Sequence, residues 1–168
     1  MNAVEMMVLG FCQRLQNGEI GTAIRESLWV FPLVESCHIL GLFLSVGVVI
    51  WFDLRLAGIA LKKASVTEVS TQILPVSIVG FALMFVSGAL LLWANPAKLY
   101  GNTYFRIKVL LLLLAGCNAV IFQLTVHRKL SEWDRSPVPP VQARVAGYLS
   151  LILWFGIIFA GRYTAFSI

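Results

Sequence analysis

Four long apolar runs dominate this sequence, at residues 30–51, 73–94, 106–126 and 144–165. An α-helix rises about 1.5 Å per residue, so runs of about 21 residues form helices about 32 Å long, which matches the apolar thickness of a bilayer. Lipid offers the backbone no hydrogen-bond partners, and a helix satisfies its own. The sequence therefore predicts an all-α fold, an integral membrane four-helix bundle.

Composition agrees with this prediction. Of the 168 residues, 59% are apolar and only 12% are charged, and the mean hydropathy of +0.85 lies far from the soluble average. The net charge of +5 comes from Lys and Arg residues that flank the apolar runs rather than forming one stripe. We therefore expect the lipid bilayer as the partner, and no nucleic acid.

The amino-terminal segment, residues 1–20, predicts an amphipathic helix lying in the membrane interface. Asn17 and Gly18 are expected to end it, and residues 21–168 then form the four-helix transmembrane domain. The segment has no positively charged start typical of a signal peptide, so we expect it to be retained. One face collects its apolar side chains: Val4, Met7, Val8, Phe11 and Leu15.

Two prolines and the basic loops indicate helix starts and orientation. Pro32 and Pro75 are expected in the first turns of the first and second spans, where a missing N–H costs little. Loops 52–72 and 127–143 are basic, whereas the connection 95–105 holds only Lys98. The positive-inside rule then predicts a multi-pass protein with both basic loops cytoplasmic and both termini outside.

Polar residues inside membrane helices are costly, so each one suggests a function. We placed them by depth below the outer boundary, using the helical rise. His38 lies roughly 12 Å down, Met84 about 15 Å, Trp154 about 16 Å, and Cys117 and Asn118 about 17 Å. The depths predict one shared polar layer around His38.

Glu35 lies three residues before His38, on the same side of its helix and nearer the outer surface. Arg162 is its expected partner, either as a structural ion pair or as part of a proton-carrying or propionate-binding site.

A b-type haem is the first candidate cofactor for His38. The other histidine, His127, lies about 20 Å deeper along the membrane normal, so the two cannot hold one iron. His127 is expected to be interfacial. A haem on His38 is therefore five-coordinate or takes a sixth ligand from Met84 or another subunit, and it serves electron transfer or haem handling. Candidate propionate partners are Arg106, Lys108 and Arg162.

Two alternatives use the same residues. Copper binding or transport would use His38, Met84 and Cys117 as soft ligands, with Cys37 rotated about 100° away from His38 on the helix. A non-catalytic scaffold or accessory subunit of a membrane complex would use the polar groups only to lock helix packing. No set of acid, base and nucleophile is complete, so catalysis by the chain alone is not predicted, and a homo-oligomer is possible.

Three segments carry a family resemblance: 24–38 (IRESLWVFPLVESCH), 53–58 (DLRLAG) and 161–166 (GRYTAF). They resemble an uncharacterised family of small bacterial four-helix inner-membrane proteins, which implies a bacterial inner-membrane location. The histidine of the first helix is loosely similar to that of copper-resistance membrane domains. For Asp53 and Arg55 we expect a local salt-bridged helix end.

Overall fold

The computed structural model describes residues 3–166, and within that range the chain is built of helices and turns without a strand. This confirms the predicted all-α class. In chain order the helices are α1 (Ala3–Gln16), α2 (Glu19–Glu26), α3 (Val30–Leu56), α4 (Val66–Ala94), α5 (Pro96–Gly101), α6 (Thr103–Trp133) and α7 (Val141–Phe166).

Four of these helices, α3, α4, α6 and α7, are long and apolar enough to cross a membrane, with mean hydropathies between 1.8 and 2.3 over their most apolar windows. Large apolar side chains point outward from them: Leu33 is 63% exposed, Phe43 70% and Phe155 60%. Such a belt is stable in lipid and not in water. The predicted membrane bundle is confirmed.

The spanning helices extend further than the apolar runs, mainly at one end. Helix α4 begins at Val66 rather than at residue 73, because Ser65 caps it by accepting a hydrogen bond from the backbone N–H of Glu68 at 3.0 Å. Pro75 consequently lies inside the helix, and its predicted place in the first turn was wrong. Pro32 does lie in the first turn of α3.

The helices form an open arrangement. Helix α6 packs on α7, α7 on the second half of α3, and α3 on α4, while α4 and α6 have little contact within the described residues. Glycines allow the close crossings: a Cβ on Gly41 would lie 2.7 Å from the backbone nitrogen of Met84, and one on Gly147 2.8 Å from the carbonyl oxygen of Asp53. A gap is left between α4 and α6.

We call the end where α3 begins and α7 ends the terminal end. The predicted amphipathic helix ends at Gln16, as α1, and its first two residues lie outside the described range. Helix α2, which the sequence did not predict, follows it. Arg25 of α2 donates from Nη1 to the carbonyl oxygens of Gln16 at 3.0 Å and Ala94 at 3.3 Å. These bonds join α1, α2 and α4 through otherwise unpaired helix-end carbonyls.

The opposite end, with the connections 57–65 and 134–140, we call the loop end. Arg55 is fully buried there and joins both connections. It donates to the carbonyl oxygens of Ala64 at 2.9 Å, Ser136 at 3.0 Å and Asp134 at 3.3 Å. The salt-bridged helix end expected for Asp53 and Arg55 was wrong, because Arg55 bonds to loop carbonyls and Asp53 to another helix.

Candidate functional site

His38 lies on α3 in the half of the bundle nearer the terminal end, against α4. Its Nδ1 is 3.0 Å from the carbonyl oxygen of Met84 and 3.1 Å from Oγ of Ser87. A carbonyl oxygen only accepts, so Nδ1 carries the hydrogen and donates it to Met84. In the neutral ring this leaves Nε2 with a free lone pair, and Nε2 has no partner among residues 3–166. The tautomer is the one that a metal-ligating imidazole needs.

Gly88 and Lys108 complete the surroundings of His38. A Cβ on Gly88 would lie 3.1 Å from Cε1 of His38, so only glycine leaves the ring its full space. Lys108 of α6 is close enough for its charge to act on His38, and its Nζ lies 3.7 Å from where a Cβ of Gly161 would be. Within the described chain Lys108 makes no ion pair or hydrogen bond. A partly buried, unpaired cation therefore lies beside the imidazole.

The predicted copper ligands do not assemble around His38. The sulfur of Met84 faces Oγ of Ser45 at 3.9 Å, while only the backbone carbonyl of Met84 faces the imidazole. Cys117 is exposed on the surface of α6. Over residues 3–166 no three His, Cys, Asp or Glu side chains are grouped closely enough to hold a metal ion. Depth placed these residues at one level, but rotation about each helix axis separates them.

Asn118 and Trp154 also belong to other surroundings. Asn118 donates from Nδ2 to the carbonyl oxygen of Ala146 at 3.0 Å and so joins α6 to α7. Trp154 packs against Phe81, with ring centroids 5.8 Å apart. The single polar layer is therefore divided, and Asn118 is not placed at the imidazole.

The three charged residues predicted near the outer surface are separate as well. Glu35 is exposed, and no ion pair joins it to Arg162, whose guanidinium lies 4.4 Å from the centre of the Phe166 ring. Arg106 is exposed and donates from Nε to the carbonyl oxygen of Tyr100 at 3.0 Å. The expected Glu35–Arg162 pair was wrong, because the arginine turns toward its own helix end.

A second polar region, which sequence reasoning missed, surrounds a cavity of about 450 Å³. The cavity fills the gap between α4 and α6 from the middle of the bundle toward the loop end, with α3 and α7 behind it. Aromatic rings and polar groups from all four spanning helices line it, among them Phe52, Asp53, Ser77, Phe81, Asn118, Phe122, His127, Ser150 and Trp154. None of the residues that contact the His38 imidazole belongs to this lining.

Asp53 is the buried acid of this cavity, with only 4% of its surface exposed. Its Oδ2 accepts a hydrogen bond from Oγ of Ser150 at 2.6 Å, and its Oδ1 has no partner within the described residues. His127 is half-buried at the edge of the same cavity, its ring centre 6.1 Å from that of Phe122. The sequence does carry a signal for this site, because Asp53 lies only two residues after the apolar run 30–51. We expected that acid to belong to a helix end.

Comparison with known proteins gives a family and no function. No curated protein and no solved structure matches the chain. A model of a family of unknown function, DUF6644, matches residues 17–167, which covers all four spanning helices and leaves out α1. The chain therefore belongs to the DUF6644 family of unknown function.

Proposed function

We propose that this protein is a membrane haem b protein in which Nε2 of His38 would hold the iron, and that it serves electron transfer or haem handling. The observation that supports this most is the hydrogen bond from Nδ1 to the carbonyl oxygen of Met84. Histidines that bind metals usually donate their other ring N–H to a carbonyl or carboxylate, which fixes the ring and raises its basicity. Haem, when bound, supplies one-electron chemistry.

The neighbouring residues fit such a group. Lys108 offers an unpaired cation to a propionate, and a charge-assisted bond there would compensate for its partial burial. Gly88 leaves the imidazole unobstructed. The sulfur of Met84 faces Ser45, so among residues 3–166 His38 would hold the iron without Met84, and any further ligand would come from a second copy. Arg106 and Arg162 are further propionate partners in this proposal, although each already contacts an aromatic ring.

The experiment compares the two histidines. The full chain is purified in mild detergent from haem-replete cells, and its ultraviolet–visible spectrum and haem content are measured. We expect a Soret band that His38→Ala removes and His127→Ala retains. His127 is the matched control because it is the chain's other histidine and lies away from the proposed iron. A colourless wild-type protein without haem would contradict the proposal.

A structural role for His38 is the second candidate, because the imidazole joins α3 to α4 through Met84 and Ser87. In that case His38→Ala lowers the melting temperature while the wild-type protein carries no cofactor. Metal analysis of the same preparations tests copper, the third candidate, for which the predicted ligands are apart.

For location we propose the bacterial inner membrane with both termini on the periplasmic side. The support is that loops 52–72 and 127–143 each hold three Lys or Arg residues, whereas the connection 95–105 holds only Lys98. A carboxy-terminal alkaline phosphatase fusion should be active and a fluorescent-protein fusion dark. The reverse pattern would invert the orientation.

A further inference from the structure

Asp53 has no role in the proposed haem site. Its carboxyl group is buried between helices that cross a membrane, and no Lys or Arg among residues 3–166 forms an ion pair with it. The nearest arginine in sequence, Arg55, turns to the loop carbonyls. Ser150 donates a hydrogen bond to Oδ2 of Asp53, while Oδ1 has no partner among the described residues, and Asp53 lines the cavity. An acid in membrane surroundings generally pairs with a cation, and no residue of the described range 3–166 forms an ion pair with Asp53, although the His127 imidazole lines the same cavity.

The walls around this acid are aromatic. Phe52, Phe81, Phe122 and Trp154 line the same cavity, and the rings of Phe52 and Phe122 meet edge to face at 6.1 Å between centroids. The π faces of such rings attract cations, most strongly where water is excluded. A carboxylate surrounded by aromatic rings therefore suits a ligand that carries a positive charge on an apolar body.

The cavity is open toward the lipid. Helices α4 and α6 hardly touch, and the lining residues Leu74, Ile78, Ala119 and Gln123 of these helices are exposed. An amphiphile dissolved in the bilayer therefore reaches the cavity sideways, between α4 and α6. The volume of about 450 Å³ lies in the range of sites for drug-sized molecules.

Other ligands fit less well. A divalent metal ion needs several carboxylate or imidazole ligands, and no such group exists among the described residues. An anion would be repelled by the carboxylate. A neutral hydrocarbon would leave Oδ1 of Asp53 without a partner.

We propose that the cavity between α4 and α6 binds a monovalent organic cation with an apolar body, whose charge lies against Asp53 and whose body packs on the aromatic walls. The site is independent of the haem proposal, because its lining includes none of His38, Met84, Ser87 or Gly88. Either proposal can fail without the other.

The test is equilibrium dialysis of radiolabelled tetraphenylphosphonium against the full-length protein in mild detergent. We expect saturable binding to the wild type. Binding to Asp53→Asn should be at least about tenfold weaker, because losing a charge pair at a partly buried site lowers the affinity by more than one order of magnitude. Glu68→Gln is the matched control: it removes an exposed carboxylate in the first turn of α4, outside the cavity, and should bind as the wild type does.

A second variant keeps the test decisive if Asp53→Asn fails to fold. Ala119→Phe fills the cavity from its exposed edge while the carboxylate stays in place, and it should also weaken binding by about tenfold or more. Triphenylphosphine oxide, a neutral aromatic probe, should bind the wild type more weakly than the cation.

Four outcomes would overturn the proposal. They are the absence of saturable cation binding to the wild type, equal affinity in folded Asp53→Asn, unchanged affinity in Ala119→Phe, and equally tight binding of the neutral probe. The Soret band is read in the same samples, so loss of haem and loss of cation binding are scored separately.

Discussion

The main polar groups of the two halves of the bundle have opposite surroundings. Toward the terminal end, His38 faces a helix in direct contact, and a backbone carbonyl 3.0 Å away satisfies its Nδ1. Toward the loop end, Asp53 faces a gap between separated helices, and only one of its oxygens is satisfied by the protein. Direct helix contact therefore satisfies the polar atom in one half, whereas helix separation leaves an oxygen of the other half facing a cavity.

The largest expected effect on stability concerns Arg55, which joins the two connections of the loop end. Arg55→Ala should lower the free energy of unfolding by on the order of 3 kcal/mol, because three hydrogen bonds from a buried charged group to both connections are lost. Thermal unfolding in detergent measures it. Arg135→Ala, an exposed arginine of the same end, is the control and should change little. Equal effects of the two substitutions would mean that the hydrogen bonds of Arg55 do not stabilise the loop end.

The next effect concerns the close crossing of α3 and α4. Gly80→Ala should destabilise the protein by about 2 kcal/mol, because the added Cβ would lie 2.6 Å from the carbonyl carbon of Leu44. Gly116→Ala is the matched control, since a Cβ there meets nothing within 4 Å. A melting temperature unchanged by Gly80→Ala would show that α3 and α4 can separate here, so this half would not be the more tightly packed one.

A smaller effect is expected at the imidazole itself. Gly88→Ala places a Cβ 3.1 Å from Cε1 of His38 and should displace the ring, at a cost of about 1 kcal/mol. In the haem-loaded protein we expect a shifted Soret maximum or lower haem content. A spectrum identical to that of Gly116→Ala would argue against a haem on His38.

The smallest effect is expected at the cavity. Ser150→Ala removes the 2.6 Å hydrogen bond to Asp53 and should cost about 1 kcal/mol or less, because the carboxyl group already faces an open space. Ser131→Ala, on an exposed serine, serves as the control. A loss several times larger, measured by thermal unfolding, would mean that this half is as tightly packed around its polar group as the other.

Much of the fold followed from the sequence, and part of the site did not. Apolar length predicted four spans, and the stop at Asn17 and Gly18 predicted the end of α1. Helix α2 was missed because its eight residues mix charged and apolar side chains and form no long run. The start of α4 was misplaced because Pro75 looked like a first-turn proline, whereas the Ser65 cap lies well before it.

The candidate site divides in the same way. Lys108 lies close enough to His38 for its charge to act on the imidazole. Cys117 and Asn118, which were predicted to lie in one layer with His38, point elsewhere. Asp53 was assigned to a helix end because one sequence cannot show that Ser150, 97 residues later, lies 2.6 Å from it.

The sequence alone determined that this chain crosses a membrane as four helices, because backbone hydrogen bonding in lipid permits little else for apolar runs of that length. It also predicted the depth of each polar residue from the fixed helical rise. Which polar groups meet depends on how the helices are rotated in the folded protein. Depth leaves the rotation of each helix free, and the contacts of α3 with α4 and of α6 with α7 set that rotation and left the cavity beside Asp53.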